Sequence, residues 1–97
     1  MRVISRRLLR EYWERHADAR PALEAWHADV IHMTWRSPSD VKRVYRNASV
    51  LPKNRIVFNI KGNKYRLVVA VNYRAGIVYT RFVGTHAEYD KIDATVI

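Results

Sequence analysis

The feature that most constrains this fold is a change of hydrophobic period near residue 54. Beyond that point, apolar residues recur at every second position in three runs, residues 55–61, 65–74 and 76–84. A period of two, with many β-branched and aromatic residues, predicts β-strands. The pairs Gly62-Asn63 and Ala75-Gly76 separate the runs and can supply the positive φ of tight turns. The second half of the chain therefore predicts a three-stranded antiparallel meander.

Before residue 54, apolar residues recur at three- and four-residue spacing, which indicates helices. The first stripe follows Ser5, a candidate N-cap, and comprises Leu8, Leu9, Tyr12, Trp13 and His16. The second stripe follows Pro21, which suits a first helical turn, and comprises Leu23, Trp26, His27, Val30 and Thr34. After turn residues at 37–40, a short third helix is predicted to carry Val41, Val44 and Tyr45, and residues 47–52 are predicted to form a loop.

The two ends of the chain complete the predicted architecture. Residues 1–4 suit a short edge strand, and Thr85 followed three residues later by Glu88 has the pattern of a capping box, which predicts a final helical turn. The sequence contains no repeat and no Gly/Ser/Pro linker. We therefore expect one α+β domain over residues 1–97, in which two N-terminal helices pack on a small, mainly antiparallel sheet.

Charge and composition narrow the functional classes. Eighteen Lys and Arg against nine Asp and Glu leave a net charge of +9, which favours nucleic acid as the partner over a membrane or an acidic protein. The absence of cysteine excludes a disulfide scaffold, a thiolate nucleophile and a Cys-based metal site. No His pair has metal-ligand spacing, no Gly-rich phosphate loop occurs, and the N-terminus lacks an apolar signal segment. We expect a cytoplasmic protein without a metal or cofactor.

Strand alternation distributes the basic residues over the predicted sheet. On the first strand one row is expected to be exposed and the other buried, namely Val57, Asn59 and Lys61 against Ile56, Phe58 and Ile60. Arg66 projects opposite to its neighbours Tyr65 and Leu67, and Arg81 shares a side with Tyr79 and Val83. A convergent group would suit a phosphodiester backbone, whereas separate cations would only keep the sheet soluble. The candidate RNA-binding residues are Lys61, Lys64, Arg81 and Asn59, together with Arg66.

The densest polar cluster is the segment THAEYDKID, residues 85–93. A helical turn would place His86, Tyr89 and Asp90 within reach of one another. Metal-free RNA cleavage needs a base for the 2′-hydroxyl, a cation for the phosphorane and an acid for the leaving oxygen, and His86, Arg66 and Tyr89 have the required chemistry. The alternative is a capped terminal helix whose His and Tyr only pack on the sheet edge.

Two motifs make the chain resemble a known family. They are GNKYRL within residues 59–73 and THAEYDK within residues 77–93, preceded by a helical half of matching length. On these motifs the chain resembles, over essentially its whole length, the HigB family of toxins in the RelE-like superfamily. Carried over by motif, Arg66, His86, Tyr89 and Lys91 fall where similar toxins keep active-site groups, and Lys61 and Lys64 match a basic hairpin that meets RNA.

The resemblance implies a ribosome-dependent, metal-independent endonuclease that cleaves translated mRNA. It also implies a cognate HigA-like helix-turn-helix antitoxin that blocks the toxin and, as a complex, represses their operon by binding operator DNA. The basic field predicts an acidic or amphipathic antitoxin segment over the site. The alternative from another class is a non-catalytic basic protein that occupies the ribosome. A DNA-binding module is disfavoured, because the cations are spread over strands and the first helix without a recognition helix.

Overall fold

A computed structural model describes all 97 residues and contains five strands and four helices. In chain order, the elements are β1 (Arg2–Ile4), α1 (Arg6–Arg15), a short 3₁₀ turn (Ala17–Ala19), α2 (Arg20–Val30), α3 (Pro38–Val44), β2 (Ser49–Leu51), β3 (Arg55–Ile60), β4 (Tyr65–Asn72), β5 (Ile77–Thr85) and α4 (His86–Tyr89). The predicted α+β class is confirmed. None of these helices has the length and apolar character needed to cross a bilayer.

One mixed sheet organises the molecule, with strand order β1-β5-β4-β3-β2. The three predicted strands form the antiparallel centre, and the N-terminal segment adds β1 as a parallel edge strand beside β5. The β3–β4 turn uses a positive φ at Gly62, as predicted, and also at Lys61; the β4–β5 turn uses one at Gly76. The predicted meander and N-terminal edge strand are therefore both present.

The prediction of a loop over residues 47–52 was wrong. Ser49–Leu51 form β2, which pairs antiparallel with β3 from Ser49–Val57 to Leu51–Arg55. The connecting turn places Lys53 and Asn54 at φ of 62° and 58°. Left-handed residues suit tight hairpins, but lysine is not a usual signal for that conformation. Because β2 is largely exposed and adjoins Pro52, its residues carry little indication that they pair with another strand.

The helical boundaries also differ in detail from the predictions. Ser5 precedes α1 with φ of 73°, and its side chain makes no capping hydrogen bond. Instead, the buried Thr80 hydroxyl donates to the Ser5 carbonyl at 2.6 Å, which ties the β1–α1 corner to β5. The second helix ends at Val30, so Thr34 lies beyond it. The capping box of α4 is present as predicted, with Thr85 and Glu88 bonded reciprocally.

The main core lies between the helices and one face of the sheet, which we call the inner face. Nineteen buried residues form it, including Leu9 and Trp13 of α1, Leu23 and Trp26 of α2, and Phe58 of β3. The opposite, outer face carries a smaller cluster of Val57, Val68 and Ala94, covered by α4 and the C-terminal residues. The expectation that Val57 is exposed was therefore wrong, because the chain folds back over it.

Candidate active site

Arg66 lies on the outer face, directly between Asn59 on β3 and Gly84 on β5. Its Nη1 donates to the Asn63 carbonyl at 3.0 Å and more weakly to the Tyr65 carbonyl at 3.4 Å, while Nε and Nη2 make no hydrogen bond within the chain. A guanidinium with free N–H groups can hold two oxygens of a phosphate. The carbonyls at the turn thus anchor Nη1 of Arg66, and the N–H groups on Nε and Nη2 are available to bind an anion.

Gly84, the β5 residue paired with Arg66, leaves room for an aromatic ring. A Cβ at position 84 would sit 2.5 Å from Cζ of Phe82 and 3.1 Å from Cβ of Glu88. Real Cβ atoms do not come within 2.5 Å of another carbon, so the Phe82 ring occupies the space that any other residue at position 84 needs. The need for glycine in β5 therefore comes from a close approach, not from an unusual backbone angle.

His86 opens α4 and is held against Asp90. The His86 N–H donates to the Lys64 carbonyl at 3.3 Å, which extends the β4–β5 ladder, and Nδ1 lies 3.0 Å from Oδ2 of Asp90. Both side chains are 57% exposed. A carboxylate at Nδ1 favours the tautomer whose Nε2 accepts a proton and stabilises the imidazolium that results. This pair has the geometry of an oriented general base open to a ligand.

Tyr89 and Lys91 occupy different surroundings. Tyr89 is half-buried against the outer cluster, and its hydroxyl makes no hydrogen bond within the chain. Lys91 is exposed and forms no ion pair. The structure therefore brings His86 and Asp90 into contact, as the helical spacing predicted, whereas Tyr89 packs beside them instead of joining their hydrogen bond.

Lys61 and Lys64 lie at the β3–β4 turn and are bound by Asp18 of the 3₁₀ turn. Oδ2 of Asp18 accepts from Lys61 Nζ at 3.1 Å and also from Lys64 Nζ, while Oδ1 accepts from the Tyr65 hydroxyl at 2.5 Å. The hydrogen bonds from Lys64, Tyr65 and Lys61 hold the pKa of the Asp18 carboxyl well below its usual range, and the Asp18 bond raises the pKa of Lys64. These lysines are thus positioned toward the helical side, apart from Arg66.

Arg81 stands at an irregularity in β5. The register between β4 and β5 shifts at Val68/Val69, so Thr80 and Phe82 face consecutive β4 residues and Arg81 has no partner across the ladder. Its guanidinium lies 5.5 Å from the Tyr79 ring centroid. The predicted sharing of one side by Arg81, Tyr79 and Val83 was wrong, because the bulge breaks the alternation and Val83 joins the main core.

Sequence reasoning missed a polar network that joins α1 to α4. The Tyr12 hydroxyl donates to Oε1 of Glu88 at 3.3 Å, and the His16 ring stacks on Tyr12 at 4.3 Å. Burial, followed by the nearby Glu88 charge, raises the pKa of Tyr12; the Thr85 N–H lowers the pKa of Glu88. Glu88 carried a signal, through the capping box. The shared helical stripe placed His16 beside Tyr12, but Asp18 had no signal, because its partners lie more than forty residues away in the chain.

Comparison with known proteins assigns the family. A model of the HigB toxin, described as the RelE-like toxic component of a toxin-antitoxin system, matches residues 19–92. The chain belongs to the HigB toxin family. Relatives include the mRNA interferase toxin HigB of Escherichia coli K12 and the mRNA interferase HigB of E. coli O157:H7 and of Shigella flexneri. Each is 30% identical over 97 residues, covering 97% of this chain and 92% of the relative.

Membership of the HigB family confirms the resemblance carried by the two sequence motifs. It makes the chain the toxic component of a toxin-antitoxin system, with a cognate antitoxin as partner. Within the structure, no three His, Asp or Glu side chains are grouped closely enough to hold a metal ion. The side chains described above offer imidazole, guanidinium, phenol, ammonium and carboxylate groups at or near the outer face.

Proposed function

We propose that this HigB toxin is an endoribonuclease that cleaves translated mRNA on the ribosome without a metal ion and so inhibits translation and growth. The observation that carries the proposal is the exposed His86–Asp90 pair, which follows by two residues the glycine paired with Arg66. His86 directly follows the end of β5, and Arg66 lies near the start of the adjacent β4, which supports a joint role as proton acceptor and phosphate-binding cation. The names of the relatives, mRNA interferases, support the same substrate class.

The proposed reaction uses the nucleophile that RNA already contains. His86 Nε2 takes the proton of the 2′-hydroxyl, whose oxygen then attacks the adjacent phosphorus. Arg66 stabilises the negative charge of the phosphorane, and Asp90 stabilises the imidazolium. The leaving 5′-oxygen receives a proton from Tyr89 or Lys91, the two remaining acids of this segment. The products are a 2′,3′-cyclic phosphate and a 5′-hydroxyl end, so no metal-bound water is needed.

Substrate binding is assigned to the basic groups around this centre. Asn59 lies beside Arg66 and can hydrogen-bond RNA, while Arg81 stands further along β5. Lys61 and Lys64 share the single carboxylate of Asp18, which leaves one unbalanced positive charge at the turn. With +9 over the whole chain, these groups steer the toxin toward the polyanionic mRNA of the cytoplasm. In this proposal, operator DNA is contacted only through the helix-turn-helix antitoxin.

Primer extension on a cellular message after brief induction tests the proposal. We expect discrete cuts with the native chain and about a 100-fold loss of cutting for His86→Ala, since a positioned general base contributes at least that much. His32→Ala is the matched control, because His32 is exposed at the end of α2, away from the outer face. Growth arrest without any cuts would instead identify a non-catalytic ribosome blocker.

Ribosome dependence needs a separate experiment. Purified toxin is incubated with one mRNA, either free or engaged in a reconstituted translation reaction, and the fragments are mapped. We expect cleavage only in the translated sample. Equal cleavage of the free message would contradict ribosome dependence while leaving the nuclease assignment intact.

A further inference from the structure

One edge of the sheet is only partly covered. Strand β2 pairs with β3 from Leu51–Arg55 to Ser49–Val57 and then departs, so the last three residues of β3 have a neighbouring strand only on the β4 side. The His86 N–H donates to the Lys64 carbonyl, which sets the ladder alternation on β4. That alternation directs the backbone N–H and C=O of Asn59 away from β4, toward the open edge.

A groove runs along this open edge, formed by two adjoining cavities of about 400 and 250 Å³. Both are lined by Tyr45, Phe58 and Asn59; Val44 lines the first and Ala25 the second. Val44 is 55% exposed, among the largest values for an apolar side chain in this protein. The groove thus combines an unpaired strand edge with an aromatic floor, in which the Tyr45 and Phe58 rings lie 5.0 Å apart.

Two buried hydrogen-bond donors in the lining have no partner. They are Nε1 of Trp26, a residue that is 3% exposed, and the hydroxyl of Tyr45, a residue that is partly buried. A buried polar group without a partner costs free energy, and native proteins satisfy most of them. Both side chains line the groove, while these two polar atoms themselves are covered by surrounding protein atoms.

We propose that this groove binds an extended, acidic peptide segment of the cognate antitoxin, which adds to β3 as an extra strand. A polypeptide strand offers a C=O for the Asn59 N–H and an N–H for the Asn59 C=O at the spacing of a β-ladder, whereas the RNA backbone has no N–H. The rim carries Arg46, Lys61 and Asp29, and Lys61 shares the Asp18 carboxylate with Lys64. Three cations thus face two carboxylates, and the remaining positive charge suits an acidic side chain.

This inference rests on the part of the proposed function that gives the toxin an antitoxin, and it is independent of the cleavage chemistry. The Asn59 side chain lies on the outer face beside Arg66, and Lys61 follows two residues later at the turn. A strand bound along this edge therefore fixes the residues that border the candidate active site, and its acidic side chains neutralise the field that attracts RNA.

Affinity measurements between the purified toxin and its purified antitoxin test the groove. We expect Val44→Asp and Ala25→Glu each to weaken binding by about tenfold or more, because each places a carboxylate against an acidic segment in an apolar channel. Both positions are exposed, so the fold is preserved. Val96→Asp is the matched control, since Val96 is an exposed valine on the C-terminal segment, outside the groove. Binding within twofold of native for both variants overturns the proposal.

Amide exchange followed by NMR locates the added strand. On antitoxin binding, the Asn59 amide should gain protection by about 100-fold, whereas the Val50 amide should not change. Val50 is the control because its backbone amide points away from β3 and lies outside the groove. Protection of Asn59 by RNA alone, or a toxin dimer that Val44→Asp dissociates, would identify a different occupant and overturn the proposal. Cleavage by the same variants should stay native, which separates this result from failure of the nuclease mechanism.

Discussion

The two faces of the sheet differ in how many residues they bury. The inner face packs against α1, α2 and α3 through a core of nineteen buried residues, including all three tryptophans. The outer face has a buried cluster of three residues, with Arg66 and Asn59 beyond its margin. Because stability scales with buried apolar area, the inner face supplies most of it. The outer face contributes less to stability. It can therefore carry polar groups that contact a ligand instead of stabilising the fold.

The largest expected effect comes from truncating the inner face. Leu67 is fully buried there, so Leu67→Ala should lower the free energy of unfolding by about 3 kcal/mol, through lost burial and a residual cavity. Leu51→Ala, beside the outer cluster, should cost about 1 kcal/mol, because Leu51 is only partly buried. Urea denaturation measures both. Equal losses would break the distinction between the two faces.

Arg66→Ala, on the outer face, should lower cleavage activity and leave the free energy of unfolding nearly unchanged. We expect about a 100-fold loss of mRNA cleavage, because the variant lacks the cation that stabilises the phosphorane, with a change of less than about 0.5 kcal/mol in stability. Arg74→Ala is the matched control, since Arg74 is exposed in the β4–β5 turn at the other end of the sheet. Cleavage by native toxin and both variants is compared at equal protein concentration. Unchanged cleavage by Arg66→Ala would remove Arg66 from the mechanism.

Gly84→Ala tests how tightly the outer face is packed. The new methyl group would meet the Phe82 ring at 2.5 Å, so we expect a loss of about 2 kcal/mol in the free energy of unfolding. The double variant Gly84→Ala/Phe82→Leu should recover part of that loss, because leucine lacks the clashing ring atoms. Thermal or urea unfolding measures the coupling. No recovery would mean that the clash with Glu88, not with Phe82, dominates.

The smallest effect should come from Asp18, which joins the helical side to the β3–β4 turn. Its carboxyl has a pKa below the ordinary value of 3.8, so its contribution to stability is present above about pH 4 and is lost as the pH falls further. Asp18→Asn should lower the urea midpoint at pH 7, and the difference from native should shrink below pH 4. A difference that stays constant down to pH 3 would contradict the assigned ion pairs.

Particular residues show how far sequence reasoning extends into the site. The α4 capping box and the His86–Asp90 contact follow from spacing within one helical turn, so local pattern was sufficient. The position of Arg66 on the outer face follows from strand alternation. Arg81 and the Asp18 cluster did not follow, because a bulge changes the period and Asp18 meets its lysines only after the chain has folded. The assignment of catalytic and RNA-binding roles stays a prediction.

By itself, the sequence determined the order of the four helices and of every strand except β2, the basic character of the protein and the motifs of the HigB family, because these depend on local spacing and composition. The tertiary structure alone decided that β2 pairs with only half of β3, that the C-terminal residues cover Val57, and that Trp26 and Tyr45 line an open groove. Such features arise where segments distant in sequence compete for the same edge or face. Local preferences of the chain do not encode the outcome of that competition.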